Sequence, residues 1–373
     1  MMKRMVLSAL MLAHHSIGAA CHNDRLRSSL RPAIRSIRYL GQAPAQAGAG
    51  WFLAGQDGGQ SISFESKTLW LFSDTLLGTR PDEDGDKLLS RPLSRRTSHF
   101  LANCAAVSQE PSFEASLREL RYYKDPQERP REILCANEQE RLAGYRFWPE
   151  HGLMLDGKLF LFYIGIHQFD PSSTWGFRAV GSGLAVMDPT SGVAERVRKN
   201  DDWRLWPILG DDLHFGVQVI RPDDFVYVFS SRRVGIFSYA LLSRVPAAEI
   251  GVPSAYEYLS STEPAWSADA AEGCELTVCS PEFSVSFNRY LERYLMVYVD
   301  SYAKQLLFRT APALWGPYSD AVNLGVLPHA TKSTLVSLGF EHPQFARDGG
   351  KMVFVSYCQP GFTQNALVAL TFE

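Results

Sequence analysis

Five dense runs of apolar, largely β-branched and aromatic residues recur along this 373-residue chain: Leu69-Trp70-Leu71-Phe72, Leu159-Phe160-Leu161-Phe162, Val226-Tyr227-Val228-Phe229, Leu295-Met296-Val297-Tyr298 and Met352-Val353-Phe354-Val355. Each follows a polar residue, a short apolar strand pattern and a turn. Counted between the first residues of successive runs, the intervals are 90, 67, 69 and 57 residues. A strand-built repeat of this length is the mark of a β-propeller blade. Asp156-Gly157 and Arg347-Asp348-Gly349-Gly350 supply hairpin turns, and no long amphipathic helix interrupts the pattern. The predicted fold class is all-β, a five-bladed β-propeller forming a single domain over residues 51–373.

The repeat places the blades. The first covers about 51–107 with a polar loop, Thr79 to Ser98, inside it. The second covers 146–190, the third 211–245, the fourth 281–325 and the fifth 340–372. Residues 109–145 lose strand periodicity and read as an insertion, and 246–280 as a connecting link. A 46% hydrophobic content supplies a large core, and the formal charge of −3 gives no support for a nucleic-acid partner. The arginines at 25, 27, 31, 35 and 38 make one basic stretch, read as a solvated tail.

Residues 1–21 read as a signal peptide. Lys3 and Arg4 form a basic start, Met5 to Ala13 an apolar run, and Gly18-Ala19-Ala20 a small-residue cleavage site. Residues 22–50 read as a linker. A secreted or periplasmic protein is expected, with no stable membrane insertion, because no stretch of about 20 apolar residues exists. A lipid anchor at Cys21 is not expected, since Gly18 stands where a lipidation signal carries a branched residue. Six cysteines match no zinc spacing. Cys274 and Cys279 are placed to close a small loop in an exported chain, or to remain idle thiols.

A propeller brings loops from every blade to one mouth. The residue opening a blade's inner strand then lies beside the residue closing its second strand. The positions so selected are Asp57 with Asp74, Glu150-His151 with Gly165 to His167, His214 with Ser230 to Arg232, Glu282 with Asp300, and His342 with Tyr357. Two carboxylates across one hairpin suit glycoside hydrolysis: one protonates the leaving oxygen, and the other attacks the anomeric carbon or activates water. Asp57 and Asp74 are the candidate catalytic pair, with Glu282 and Asp300 the rival pair. Gly58 beside Asp57 leaves room for a ligand near the backbone. An Asp beside Gly, or before Thr at a strand end, also serves as an ordinary turn residue.

Gly55-Gln56-Asp57-Gly58-Gly59-Gln60-Ser61 and Thr68-Leu69-Trp70-Leu71-Phe72-Ser73-Asp74-Thr75 resemble the opening signature of a secreted five-bladed propeller family, formerly a domain of unknown function. That family includes the endo-D-arabinanases of glycoside hydrolase family 183. Phe147-Trp148-Pro149-Glu150-His151-Gly152, Tyr294-Leu295-Met296-Val297-Tyr298, Arg309-Thr310-Ala311 with Gly316-Pro317-Tyr318-Ser319, and His342-Pro343-Gln344-Phe345 extend the resemblance from about Trp51 to Phe372. It implies that Asp57 and Asp74 are the catalytic carboxylates. Two departures concern substrate identity: Ser73 stands where the family carries Gly, and Cys104 follows Asn103 where it carries Ser.

Candidate substrate-binding residues are Glu150, His151, His214, Glu282, His342 and Trp148. The histidines can grip sugar hydroxyls, the glutamates can tune an aspartate, and Trp148 offers a flat face to a sugar ring. Trp175, Trp203 and Trp206 are further aromatic faces, with core packing the competing role for each. No metal and no cofactor is expected, because no His/His or His/carboxylate pair has ligand spacing. The expected function is a glycoside hydrolase acting on an extracellular polysaccharide or oligosaccharide, with arabinan as the example. The alternative is a non-catalytic carbohydrate-binding or interaction propeller. A lyase or phosphorylase is a third option, the latter needing a phosphate clamp from Arg232, Arg233 and Arg309.

Overall fold

The computed structural model describes residues 32–42, 46–48, 51–78, 99–173, 175–207, 213–328, 336–358 and 365–373. The expected signal peptide, Cys21 and the loop Thr79 to Ser98 lie outside the described residues.

Five antiparallel sheets form five blades. Their inner strands are Trp51–Phe64, Tyr145–Leu155, Leu213–Ile220, Ser284–Asn288 and Ser337–Glu341. Each inner strand touches the next one, and the fifth touches the first, so the ring closes. The chain is therefore a five-bladed β-propeller.

The dense runs are the second strands of the blades, and the ring explains their composition. Alternate residues of a strand face opposite ways, and here both ways lead into a neighbouring blade. Leu69 and Leu71 pack with Leu159, Leu161 and Phe147 of blade two, whereas Trp70 and Phe72 pack with Phe354 and Leu367 of blade five. Phe162 joins Val226 and Val228, while Tyr227 and Phe229 join Met296 and Tyr298. Leu295 and Val297 complete the circle with Val353 and Val355. Both faces are buried, so a polar residue on either face would break a core.

Three segments differ from the sequence expectation. Part of the expected linker, Ile34–Gln42, is the outermost strand of blade five and pairs with Asn365–Phe372, so one sheet holds both ends of the described chain. The expected insertion carries two short helices, Phe113–Arg118 and Glu138–Leu142, and a strand, Arg121–Tyr122, that extends blade one. The expected link adds Glu257–Ser261, Ala265–Ser267 and Thr277–Cys279 to blade three. Cys279 is a free, buried thiol, so no loop closes between Cys274 and Cys279.

The Ile34–Gln42 strand covers an edge that would otherwise present unpaired backbone groups. Starting the chain after Gln42 is expected to lower Tm by about 5 °C or more and to promote self-association. Thermal melts with light scattering on the two forms check this, and an unchanged melt would mean that the strand contributes nothing to closure.

Candidate active site

The inner strands begin at one mouth of the ring. Asp57 lies in the middle of its strand, where the pairing with Lys67–Gly78 slips repeatedly, including between Gln56 and Gly58 and between Gly58 and Gln60. Such bulges re-aim side chains. Gly58 has φ +89° and Gly59 φ +110°. A Cβ on Gly58 would lie 2.9 Å from the backbone nitrogen of Ser73, and one on Gly59 would lie 2.8 Å from Asn365 Nδ2. The glycines thus let the neighbouring strand and Asn365 close on Asp57, which is a use of glycine within the fold rather than room for a ligand.

Asp57 and Asp74 both fall in the unpaired stretch between the Gln56–Thr75 and Gly58–Phe72 pairs of this bulged hairpin, near enough for the charge of Asp74 to act on Asp57. Their surroundings differ. The Gly58 N–H donates to Asp57 Oδ1 at 2.8 Å, but burial dominates, and the charges of Asp74 and Glu282 add to it. The Asp57 carboxyl is pushed up to about 8. Asp74 instead receives a 2.7 Å hydrogen bond from Trp148 Nε1 on Oδ1, and Arg146 stands 3.7 Å from Oδ2. Arg146 is held by ring faces, with its guanidinium carbon 4.9 Å from the Phe177 centroid and 5.4 Å from that of Trp148.

Blades two, three and four contribute Glu150, His214 and Glu282. Glu150 is 3% exposed, and one of its oxygens lies 3.7 Å from His214 Nδ1. Burial, then the charge of Glu282, raises the Glu150 carboxyl well above the ordinary range. Burial raises Glu282 to about 7. Gly58, Gln60, Ser73, Trp148, Glu150 and Glu282 line a cavity of about 20 Å³.

Six of the eight predicted site residues therefore come together: Asp57, Asp74, Trp148, Glu150, His214 and Glu282. His151 does not join them. The register of blade two shifts between Pro149 and Gly152, so Glu150 and His151 leave the regular alternation and diverge. His151 Nδ1 accepts from the Val219 N–H at 3.2 Å. Its ring lines a different cavity, of about 620 Å³, farther along the inner strands, together with Gln60, Gln218, Ser284, Glu341 and Gln344. Burial lowers His151 to about 4.

His342 is also misplaced by the sequence reading. The inner strand of blade five ends at Glu341, so His342 follows it rather than opening it. The residue is fully buried. Its Nδ1 lies 2.6 Å from Ser61 Oγ and its Nε2 2.9 Å from Ser356 Oγ, and its ring lies against Trp70 and Phe113. It is a core residue with both nitrogens occupied. Asp300, of the rival pair, accepts from the Tyr302 and Ala303 N–H groups at 2.9 and 2.8 Å and caps a turn. Trp203 and Trp206 are buried in the core, while Trp175 is exposed.

Arg146 and Gln60 belong to the site and were missed by the sequence reading. Arg146 lies two residues before Trp148 on one strand and so shares its face, a signal that was available. Gln60 gave none, since a polar residue in an inner strand reads equally well as solvated.

Glu341 ties burial to pH. Ser286 Oγ donates to it at 2.6 Å, yet burial raises its carboxyl from 4.5 to about 7. Between those values the folded protein holds a proton that the unfolded chain has released. The stability contribution is complete below pH 4.5, falls as pH rises through 7, and changes no further above it. Glu341→Gln keeps an acceptor for Ser286 and removes the proton. Its stability curve is expected to be flatter by up to about 3 kcal/mol across that window. Denaturant melts at several pH values decide it, and parallel curves would refute the assignment.

The chain belongs to the family described as a domain of unknown function, DUF5005, whose model matches residues 47–367. That description states no activity, so family membership is established more coarsely than the sequence resemblance implied. No curated protein matches the chain in sequence. Among solved structures, one from Bacteroides ovatus, provisionally described as a hydrolase, is 16% identical, covers 89% of this chain and 87% of its own, and gives a TM-score of 0.60. A GH43_1 enzyme from Xanthomonas citri is 13% identical, with 89% of each chain covered and a TM-score of 0.47. An endo-arabinase from Bacteroides thetaiotaomicron is 11% identical, covers 89% of this chain and 97% of its own, and gives 0.45. At these identities the likeness is one of fold.

Proposed function

We propose that this protein is a glycoside hydrolase acting on an extracellular polysaccharide, with furanosidic arabinan the first substrate to test. The observation that carries the reading is the meeting of Asp57 and Asp74 across one bulged hairpin in unlike surroundings. Burial and the charges of Asp74 and Glu282 keep the Asp57 proton on near neutrality, which suits the general acid. Asp74 is faced by a cation and an indole N–H, which fix the position of its carboxyl and suit the nucleophile or base. The resemblance of the segments around both aspartates to family 183 supports the choice of arabinan, and the apolar start of the chain supports export.

Trp148 links binding to chemistry. Its N–H fixes Asp74, and its half-buried ring stands beside the acid pair, where a sugar face can stack. A phosphorylase is less well supported. Arg232 pairs with Glu275 at 3.0 Å, and Arg309 donates to Ser319 O and Tyr298 Oη.

The second reading is a carbohydrate-binding propeller without catalysis. What favours it is the occupation of Asp74 by Arg146 and Trp148, an arrangement that also serves a scaffold. Incubating the purified protein with arabinan and a panel of plant and microbial polysaccharides separates the two. New reducing ends, with products resolved by mass spectrometry, support hydrolysis. Retention on a polysaccharide without new ends supports binding alone.

A further inference from the structure

We propose that Glu150, His214 and Glu282 together hold one divalent cation at the mouth of the ring. Each residue offers one ligand atom, and the three atoms lie within 4.8 Å of one another. Two ligands about 2.1–2.4 Å from a common ion are separated by roughly 3–4.8 Å, depending on the angle between them. The 3.7 Å between Glu150 and His214 Nδ1 is long for a hydrogen bond and falls within that range. Three blades supply one ligand each, so a bound ion would cross-link them at the axis.

A second observation lies beside two of these ligands. Gln60 is 5% exposed and lines the cavity of about 20 Å³ that Glu150 and Glu282 also line. Its Nε2 donates to Val217 O at 3.2 Å, whereas its Oε1 is buried without a hydrogen-bond partner among the described residues. A buried carbonyl oxygen without a donor is costly. It can be satisfied by an ion, or by a water on that ion. The cavity volume suits a particle of that size.

A cation suits the cluster better than a buried water, because carboxyl and imidazole ligands give up their protons when they bind it. Among the described residues, no lysine or arginine pairs with Glu150 or Glu282, and they face each other at the axis. Two carboxylates, an imidazole and an amide oxygen form a mixed oxygen and nitrogen set. Imidazole suits Zn²⁺, and carboxylate and carbonyl suit Mn²⁺ and Ca²⁺, so Mn²⁺ and Zn²⁺ are expected to bind ahead of Ca²⁺. This inference goes beyond the hydrolase reading and does not require it: a carbohydrate-binding propeller would carry the same ion.

The test reads binding rather than activity. The full chain is stripped with EDTA, gel-filtered, and titrated calorimetrically with MnCl₂, ZnCl₂ and CaCl₂ in turn. One ion per chain is expected, with a higher melting temperature in the loaded form. Glu150→Gln and Glu282→Gln should each weaken binding by at least about 100-fold. His214→Gln should abolish the nitrogen coupling in the paramagnetic resonance spectrum of the Mn²⁺ form. Circular dichroism confirms that each variant folds, and should one fail, the remaining two decide. No binding of any of the three ions at millimolar concentration overturns the proposal, as does binding that the folded variants retain unchanged.

Discussion

Replacing Asp57 or Asp74 by asparagine is expected to reduce polysaccharide cleavage by about 10²–10⁴-fold while leaving the fold nearly as stable as before. The two effects separate because asparagine preserves the hydrogen bond that each aspartate accepts on Oδ1. At position 57 its Oδ1 can still accept from the Gly58 N–H, and Asp57 already carries a proton near neutrality, so a neutral amide costs the fold little. At position 74 its Oδ1 can still accept from Trp148, and what is lost is the 3.7 Å ion-pair contact with Arg146. What asparagine cannot do is donate a proton to a leaving oxygen, attack a sugar carbon, or activate water. The measurement is initial rate on the best polysaccharide of the panel, beside a urea melt of each variant. Normal turnover in both folded variants would remove the pair from the mechanism. A loss confined to one of them would keep that residue in the mechanism and remove the other.

The propeller is legible in the sequence because its second strands are buried on both faces. Leu69 and Trp70 point into different cores, so neither can be polar, and the runs stand out. Asp57 and Asp74 are legible for a related reason, since each interrupts a strand that packing alone would make apolar. Legibility ends where register slips. His151 sits in a bulge that turns it from the mouth, and the Pro149 and Gly152 that bracket it are a bulge signal the strand pattern alone does not use. His342 reads as an opening residue only if the last inner strand starts late, and the strand ends one residue before it. The three proposed cation ligands lie on three blades, so no spacing rule built on one helix or one hairpin can find them. Ring closure, by contact of the fifth inner strand with the first, creates that cluster.

Asn103→Ala is expected to cost about 4 kcal/mol or more of stability and to impair the site as well. Asn103 is fully buried and uses its whole side chain. Its Oδ1 accepts from the Ile133 and Leu134 N–H groups, both at 2.9 Å. Its Nδ2 donates to the Leu134 and Phe147 carbonyls, both at 3.0 Å. Alanine leaves two donors and two acceptors in the interior, each costing roughly 1–3 kcal/mol when unsatisfied. Aspartate is no rescue: it can accept from both N–H groups but turns an oxygen toward two carbonyls. The Phe147 carbonyl lies between Arg146 and Trp148, the two residues that hold Asp74, so loosening it should disturb the acid pair. Asn103 variants should therefore lose stability and cleavage together, in contrast to the asparagine variants at 57 and 74. Urea unfolding and initial rates on the same preparations distinguish the cases. A loss of less than about 1 kcal/mol, the net worth of a single hydrogen bond, would mean that the segment around Ile133 and Leu134 finds other partners and that Asn103 does not support the site.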